Sequence, residues 1–313
     1  MISKTMRTIL HALSYGNIEV EASRKRADLK KLDVMRIFWK KLDTKVYNKD
    51  YEVPVRLYFP SEEMMKEGLS EGAALPVILF FHGGGWVTES VETYDRVCAR
   101  MSQSTGQVVA SVEYRRAPEH PFPVPLEDCY AAAKALYTNR SILHTDPEKI
   151  TVMGDSAGGN LAAAVALKAR NTKDFRIERQ ILIYPALYNC YTEESPFASV
   201  RENGEGYLLT AVKMQDYIEL YKSGDGDLLN PLFAPLMEKK LGGMPRTLIL
   251  TAEFDPLRDE GEEYGRRLKE AGNQVEIHRI PDALHGYFAL GIQFLHVRES
   301  FGYMNGFLEN NSV

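Results

Sequence analysis

From Pro76 to Phe81 the chain reads Pro-Val-Ile-Leu-Phe-Phe, an apolar run with no polar residue in it. Without alternation between apolar and polar positions, such a run suits a strand buried on both faces, and that strand needs helices above and below it. Similar segments recur at 107–114, 149–153, 180–184, 246–251 and 274–280. Between and after them, helical spacing predicts helices over 94–104, 126–138, 158–169 and 258–271, with a closing one near 294–308. Strands that alternate with helices of about ten residues or more build βαβ units. The expected architecture is therefore α/β: a mostly parallel central sheet with helices on both faces.

Two stretches stand outside this alternation. Residues 1–45 are rich in Lys, Arg, Leu and Met, with Leu29, Leu32, Met35, Ile37 and Phe38 at helix-like spacing, and predict one or two amphipathic helices. The run 53–60 alternates as a strand does, and Pro54 within it argues for an edge position. Residues 61–74 predict an exposed loop. The segment 191–230 is polar and glycine-containing around one helix-like stretch at 210–221. It is expected to sit above the sheet and, with the N-terminal helices, to cap the functional site of a main domain spanning 46–313.

Composition narrows the function classes. The 38 Lys and Arg against 43 Asp and Glu give a net charge of −5, and the pI is near 5.9, so no basic surplus exists to neutralise a phosphate backbone. Nucleic acid is not an expected partner. Cys98, Cys129 and Cys190 lack the short paired spacing of a zinc or redox site, so no metal is expected and a reducing cytoplasm fits best. The N-terminal apolar stretch is broken by Arg7, His11 and Asn17, which argues against a secretory segment. Nowhere do ~18 apolar residues follow one another as a membrane span requires.

The chemistry concentrates in three places. Gly154-Asp-Ser-Ala-Gly158 lies directly between a predicted strand and a predicted helix. A serine on such a sharp turn is forced into strained backbone geometry that exposes its hydroxyl, and small neighbours are needed for the close contacts. Ser156 is thereby a candidate nucleophile rather than part of a glycine-rich helix start. At the carboxyl end of the 76–81 strand stands His82-Gly-Gly-Gly-Trp86. Its successive glycines, Gly83, Gly84 and Gly85, expose backbone N–H groups suited to a tetrahedral oxyanion, with the Ala157 N–H as a further donor. A phosphate-binding loop is disfavoured, because neither glycine pattern of such loops is present there.

A serine hydroxyl needs a base. Of seven histidines, His285 is placed best, in a loop after the last predicted strand and before the final helix. His82 belongs to the glycine loop and is expected to support its shape, while His11, His120, His144, His278 and His296 read as surface or structural residues. An acid is expected between serine and histidine in chain order, after a strand. Asp255 follows the 246–251 strand; Glu253 emerges two residues earlier, and Asp259 falls in the next helix, expected to face solvent.

With His82-Gly-Gly-Gly-Trp86, Tyr114-Arg-Arg-Ala-Pro-Glu119, Gly154-Asp-Ser-Ala-Gly-Gly-Asn160, Asp255-Pro-Leu-Arg-Asp-Glu-Gly261 and His285-Gly286, the chain from about Pro76 onward resembles the hormone-sensitive-lipase-like branch of the α/β-hydrolases, the family IV bacterial esterases. Arg116 stands where that family more often has leucine. The resemblance implies a triad of Ser156, Asp255 and His285, an oxyanion hole from the 83–85 loop and Ala157, structural roles for Arg115 and Glu119, and hydrolysis of short-chain acyl esters without metal or organic cofactor. Dimers are common in similar proteins, so a homodimer is one expectation. Two alternatives stay open: an amidase or peptidase with the same triad, and a non-catalytic ligand receptor on the same fold, although such receptors typically lose the histidine.

Overall fold

The computed structural model of the protein describes residues 10–11, 14, 16, 18–32, 40–68, 74–139, 143, 145–290 and 294–309. Met35, Ile37, Phe38 and His144 lie outside them, as do residues 69–73 of the loop expected at 61–74.

Among the described residues, eight strands form one sheet in the order β1-β2-β4-β3-β5-β6-β7-β8. They are β1 (Lys41–Asn48), β2 (Tyr51–Tyr58), β3 (Leu75–Phe81), β4 (Val108–Val112), β5 (Thr145–Asp155), β6 (Arg179–Ile183), β7 (Arg246–Phe254) and β8 (Val275–Leu284). Pairing is antiparallel from β1 to β2 and from β2 to β4, and parallel throughout the rest. The α-helices whose bounds fall among the described residues are α1 (Val20–Asp28), α2 (Glu62–Gly68), α3 (Asp95–Thr105), α4 (Val124–Thr138), α5 (Ala157–Thr172), α6 (Ala198–Asn203), α7 (Ala211–Tyr221), α8 (Arg258–Glu270) and α9 (Leu295–Glu309).

The continuous apolar run of β3 is explained by what lies on its two sides. Val77, Leu79 and Phe81 share one apolar cluster with residues of α4, α5 and α8 such as Leu126, Leu161 and Tyr264, whereas Ile78 and Phe80 share a second with Met101 of α3 and Phe301 and Phe307 of α9. Both faces of the strand are thus dry, the condition that removes any need for polar alternation.

The sheet begins earlier than the composition of residues 1–45 suggests. Lys41–Asn48 is a strand, not a helix, and it forms the edge, so β2 with its Pro54 is second in the sheet. Along β1 only Val46 is buried, which leaves a polar sequence with little signal of either period. Pro54 is tolerated because its carbonyl accepts from the Glu113 N–H at 2.9 Å, so its ring nitrogen faces the same way, just past Val112 where β4 has ended. Loop 61–74 contains α2, and the segment 191–230 holds α6 besides the expected helix, six residues being too short to show a period. Helix α7 begins as its sequence directs: the Thr210 hydroxyl oxygen accepts the Lys213 N–H at 3.1 Å.

From β3 the chain crosses outward to β4 and then back past β3 to β5. Such a reversal opens a crevice at the carboxyl ends of the two strands on either side of it. His82 follows β3 and Ser156 follows β5, so this crevice brings together the two motifs read from the sequence. No helix among the described residues is long and apolar enough to cross a membrane.

Candidate active site

Ser156 joins β5 to α5 with φ of 55° and ψ of −119°, a strained region for a residue with a side chain. Backbone contact holds it there. A Cβ on Gly154 would sit 2.1 Å from the Gly158 carbonyl oxygen, and one on Gly158 would sit 1.9 Å from that of Phe81. Only hydrogen fits at either place. The Ser156 N–H donates to the Ile183 carbonyl at the end of β6 (2.9 Å), which anchors the turn to the next strand.

The hydroxyl then enters a chain of hydrogen bonds. Ser156 Oγ lies 2.9 Å from His285 Nε2, and His285 Nδ1 lies 2.7 Å from Asp255 Oδ2. Asp255 is fully buried, and its other oxygen accepts the Leu257 N–H at 2.9 Å. Of the rival acids, Glu253 accepts the Asp282 N–H instead (2.6 Å). Asp259, expected to face solvent, is turned inward, pairing with Arg258 and accepting the Ser199 N–H at 2.7 Å. Neither has a hydrogen bond to the imidazole.

The glycine loop departs from expectation at one position. The Gly83 N–H donates to Asp155 Oδ1 at 2.8 Å, so it is spent inside the protein and cannot serve an oxyanion. Gly84 and Gly85, at φ of 102° and 60°, donate to no acceptor among the described residues, and both line the same cavity as Ser156. Ala157 opens α5, where the first N–H groups of a helix have no partner within it and its positive dipole end lies. The backbone N–H groups left for a ligand in this cavity are those of Gly84, Gly85 and Ala157. His82 supports the loop, as its position suggested: it is fully buried, its Nδ1 lies 2.8 Å from the Gly83 carbonyl oxygen, and Tyr114 stacks on its ring. Burial pushes the imidazole down to about 3, so it stays neutral.

Asp155, the variable residue of the pentapeptide, is a functional position that motif reading missed. Besides Gly83 it accepts from the hydroxyls of Tyr94 (2.8 Å) and Tyr184 (3.3 Å), and burial pushes its carboxyl up to about 6. It ties the loop after β3 to the end of β5. A charged residue between strand and helix was the available signal. Arg115 forks onto the buried Asp128 (2.7 and 2.9 Å), and Glu119 pairs with Arg24 of α1, which holds its carboxyl down at about 2. Arg24 also donates to the Val87 and Ala117 carbonyls (2.9 and 3.0 Å), bringing α1 to the glycine loop. Arg116 braces the same loop through the carbonyls of Thr88 and Glu89 (3.2 and 2.7 Å).

Glu260, in the first turn of α8, is the second missed position. Its Oε1 accepts the N–H groups of Leu187 (2.6 Å) and Tyr188 (3.3 Å) and the Tyr191 hydroxyl (2.9 Å). Burial, with Asp255 nearby, pushes this carboxyl from near 4.5 up to about 8. The fold thus holds the proton more tightly than the unfolded chain does. The resulting stabilisation is complete below pH 4.5 and is lost as pH rises through about 8. Thermal melts are expected to show Tm declining over that range and the Glu260→Gln variant to flatten the decline; identical slopes would refute this.

The cavity over Ser156 and His285 has a volume of about 230 Å³. Leu209, Met214 and Tyr217 wall it from the 191–230 segment, and Trp86 and Ala289 from the main domain. Tyr217 lies against the glycine loop so closely that a Cβ on Gly85 would meet its ring at 2.3 Å. A wider groove of about 1450 Å³ runs along the opposite, amino edge of the sheet past Arg179 and Arg246 and holds none of these groups.

Comparison with known proteins bears on the family. A family model described as the alpha/beta hydrolase fold matches residues 78–289. An arylesterase of Saccharolobus solfataricus is 37% identical over 246 residues, covering 78% of this chain and 76% of that protein. An ethyl acetate hydrolase of Pseudomonas putida is 35% identical over 243 residues, covering 77% and 73%. The crystal structure of an esterase of Pyrobaculum calidifontis superposes with a TM-score of 0.85 at 35% identity over 98% of each chain. With the motifs of the glycine loop, the serine turn and the Asp255 turn in place, the chain belongs to the α/β-hydrolase family, in its hormone-sensitive-lipase-like branch.

Proposed function

We propose that this hydrolase cleaves short-chain carboxylic esters through an acyl-enzyme, with Ser156 as nucleophile, His285 as general base and Asp255 as the acid that orients the histidine. The observation that carries the reading is the unbroken series from hydroxyl to imidazole to buried carboxylate, 2.9 and 2.7 Å, opening on a small cavity. His285 takes the hydroxyl proton as Ser156 Oγ attacks the ester carbonyl. The N–H groups of Gly84, Gly85 and Ala157 receive the negative oxygen, each typically worth ~10²–10³ in turnover. The alcohol leaves with the proton from His285, and water, deprotonated by the same imidazole, releases the acid and restores the serine.

Short acyl chains suit the small volume closed by Leu209, Met214 and Tyr217, and the chemistry named for the Pseudomonas relative lies in the same range. In this reading α1 and the 191–230 segment belong to the cap that shapes the acyl pocket, while 41–45 are part of the sheet, and three unpaired cysteines suit a reducing cytoplasm. A p-nitrophenyl ester series from acetyl to decanoyl is expected to peak between acetyl and hexanoyl; a peak at decanoyl would overturn the chain-length assignment. Matched anilides should turn over far more slowly, and comparable rates would favour an amidase. An organophosphate is expected to label Ser156 stoichiometrically, as read by mass spectrometry. Absence of labelling on folded protein would favour a binding role.

A further inference from the structure

The turn from Glu253 to Glu260 carries Asp255, and the 187–203 segment is hydrogen-bonded along it. Asn203 Nδ2 donates to the carbonyl oxygens of Glu253 and Asp255, at 3.3 Å each. Ser199 Oγ donates to the Pro256 carbonyl at 2.8 Å, and the Ser199 N–H donates to Asp259 Oδ2 at 2.7 Å. Farther along, Glu260 collects Leu187, Tyr188 and Tyr191. These are interior contacts: Ser199 and Glu260 are fully buried and Asn203 is 4% exposed. Polar groups buried this way hold their partners firmly, because no water can replace a lost bond.

The same segment runs on into the pocket wall. The Ala211 N–H donates to the Gly204 carbonyl (2.9 Å), joining α6 to α7, and α7 contributes Met214 and Tyr217 to the cavity. The surface that meets an acyl chain and the turn that holds the carboxylate therefore belong to one packed body.

We infer that Asn203 and Ser199 are positioning residues for Asp255: through the main-chain carbonyls of the turn they fix where the carboxylate meets His285. The inference rests on the assignment of Asp255 as the orienting acid. Asp255 Oδ1 is tied to Leu257 within the turn, so the carboxylate goes wherever the turn's backbone goes. A shift of about 1 Å at such a place costs on the order of 10²-fold in rate. Lengthening the carboxylate–imidazole bond also weakens support for the imidazolium, so the base becomes protonated only at lower pH.

The test uses the full-length Asn203→Ala and Ser199→Ala variants and their combination, assayed on p-nitrophenyl butyrate with rates divided by the amount of organophosphate-reactive Ser156. The double variant is expected to lose about 10- to 100-fold in kcat per reactive serine with KM nearly unchanged. The acidic limb of its kcat/KM profile moves to lower pH. A merely structural role would reduce the number of reactive sites and leave both rate per site and pH limb in place, which would overturn the inference. Should Asn203→Ala fail to fold, Ser199→Ala, which removes one oxygen atom, carries the test by the same readouts. Failure of the underlying assignment is separable, since it appears as an Asp255→Asn enzyme with full activity.

Discussion

Ser156→Ala is expected to lower kcat toward p-nitrophenyl acetate by a factor on the order of 10⁵–10⁶, because the groups of such a series work as a unit and the remainder cannot form the acyl-enzyme. Adding His285→Ala to that variant should cost almost nothing more, since a base without a nucleophile has no proton to remove. The residue left behind is measurable: donors at Gly84, Gly85 and Ala157 still stabilise an oxyanion formed by direct attack of water. KM should change little, as the hydroxyl contributes chemistry rather than binding. A Ser156→Ala enzyme retaining even a tenth of its parent's kcat would end the proposal.

Asp255→Asn is expected to cost about 10⁴-fold for a reason that follows from three distances. In the native protein one carboxylate oxygen accepts the Leu257 N–H at 2.9 Å and the other faces His285 Nδ1 at 2.7 Å, which places the imidazole proton on Nδ1 and leaves Nε2 free to take the Ser156 proton 2.9 Å away. The amide oxygen of an asparagine must serve the Leu257 N–H, because its NH₂ group cannot accept. The NH₂ then faces Nδ1 as a donor, and the imidazole responds by moving its proton to Nε2. That nitrogen now offers a hydrogen where it should accept one. Stability should fall little, since shape is kept, so a large activity loss with an unchanged melting temperature is the expected signature. Restored activity above pH 10, where a serine alkoxide needs less help, would agree with it; a variant within tenfold of wild type would not.

What the sequence conveyed and what it withheld divide along physical lines. Strands such as 76–81 were legible because both their faces are dry, and Gly154 and Gly158 because backbone contact forbids any Cβ there. The order of Ser156, Asp255 and His285 was legible from the strands each follows. The edge strand β1 was not, since one buried valine among eight residues carries no period. Gly83 was read with its neighbours as an oxyanion donor, but a row of three glycines cannot tell which N–H is spent internally; that depends on Asp155, which sits 72 positions away. Asp259 was read as facing solvent because an acidic residue in a helix's first turn usually does, and α6, which turns it inward, was too short to be seen. Glu260 escaped for the opposite reason: a carboxyl with three internal donors is indistinguishable in sequence from a surface one.

Where α5 crosses the end of β3, main chain rests directly on main chain, with Gly158 against the Phe81 and His82 carbonyls and no side chain between. The interval separating Ser156 from the glycine loop is therefore ruled by backbone contact, as the gap in a machined gauge is ruled by its steel. Side chains in the walls can be exchanged, and chamber and clientele with them, while that interval keeps its length.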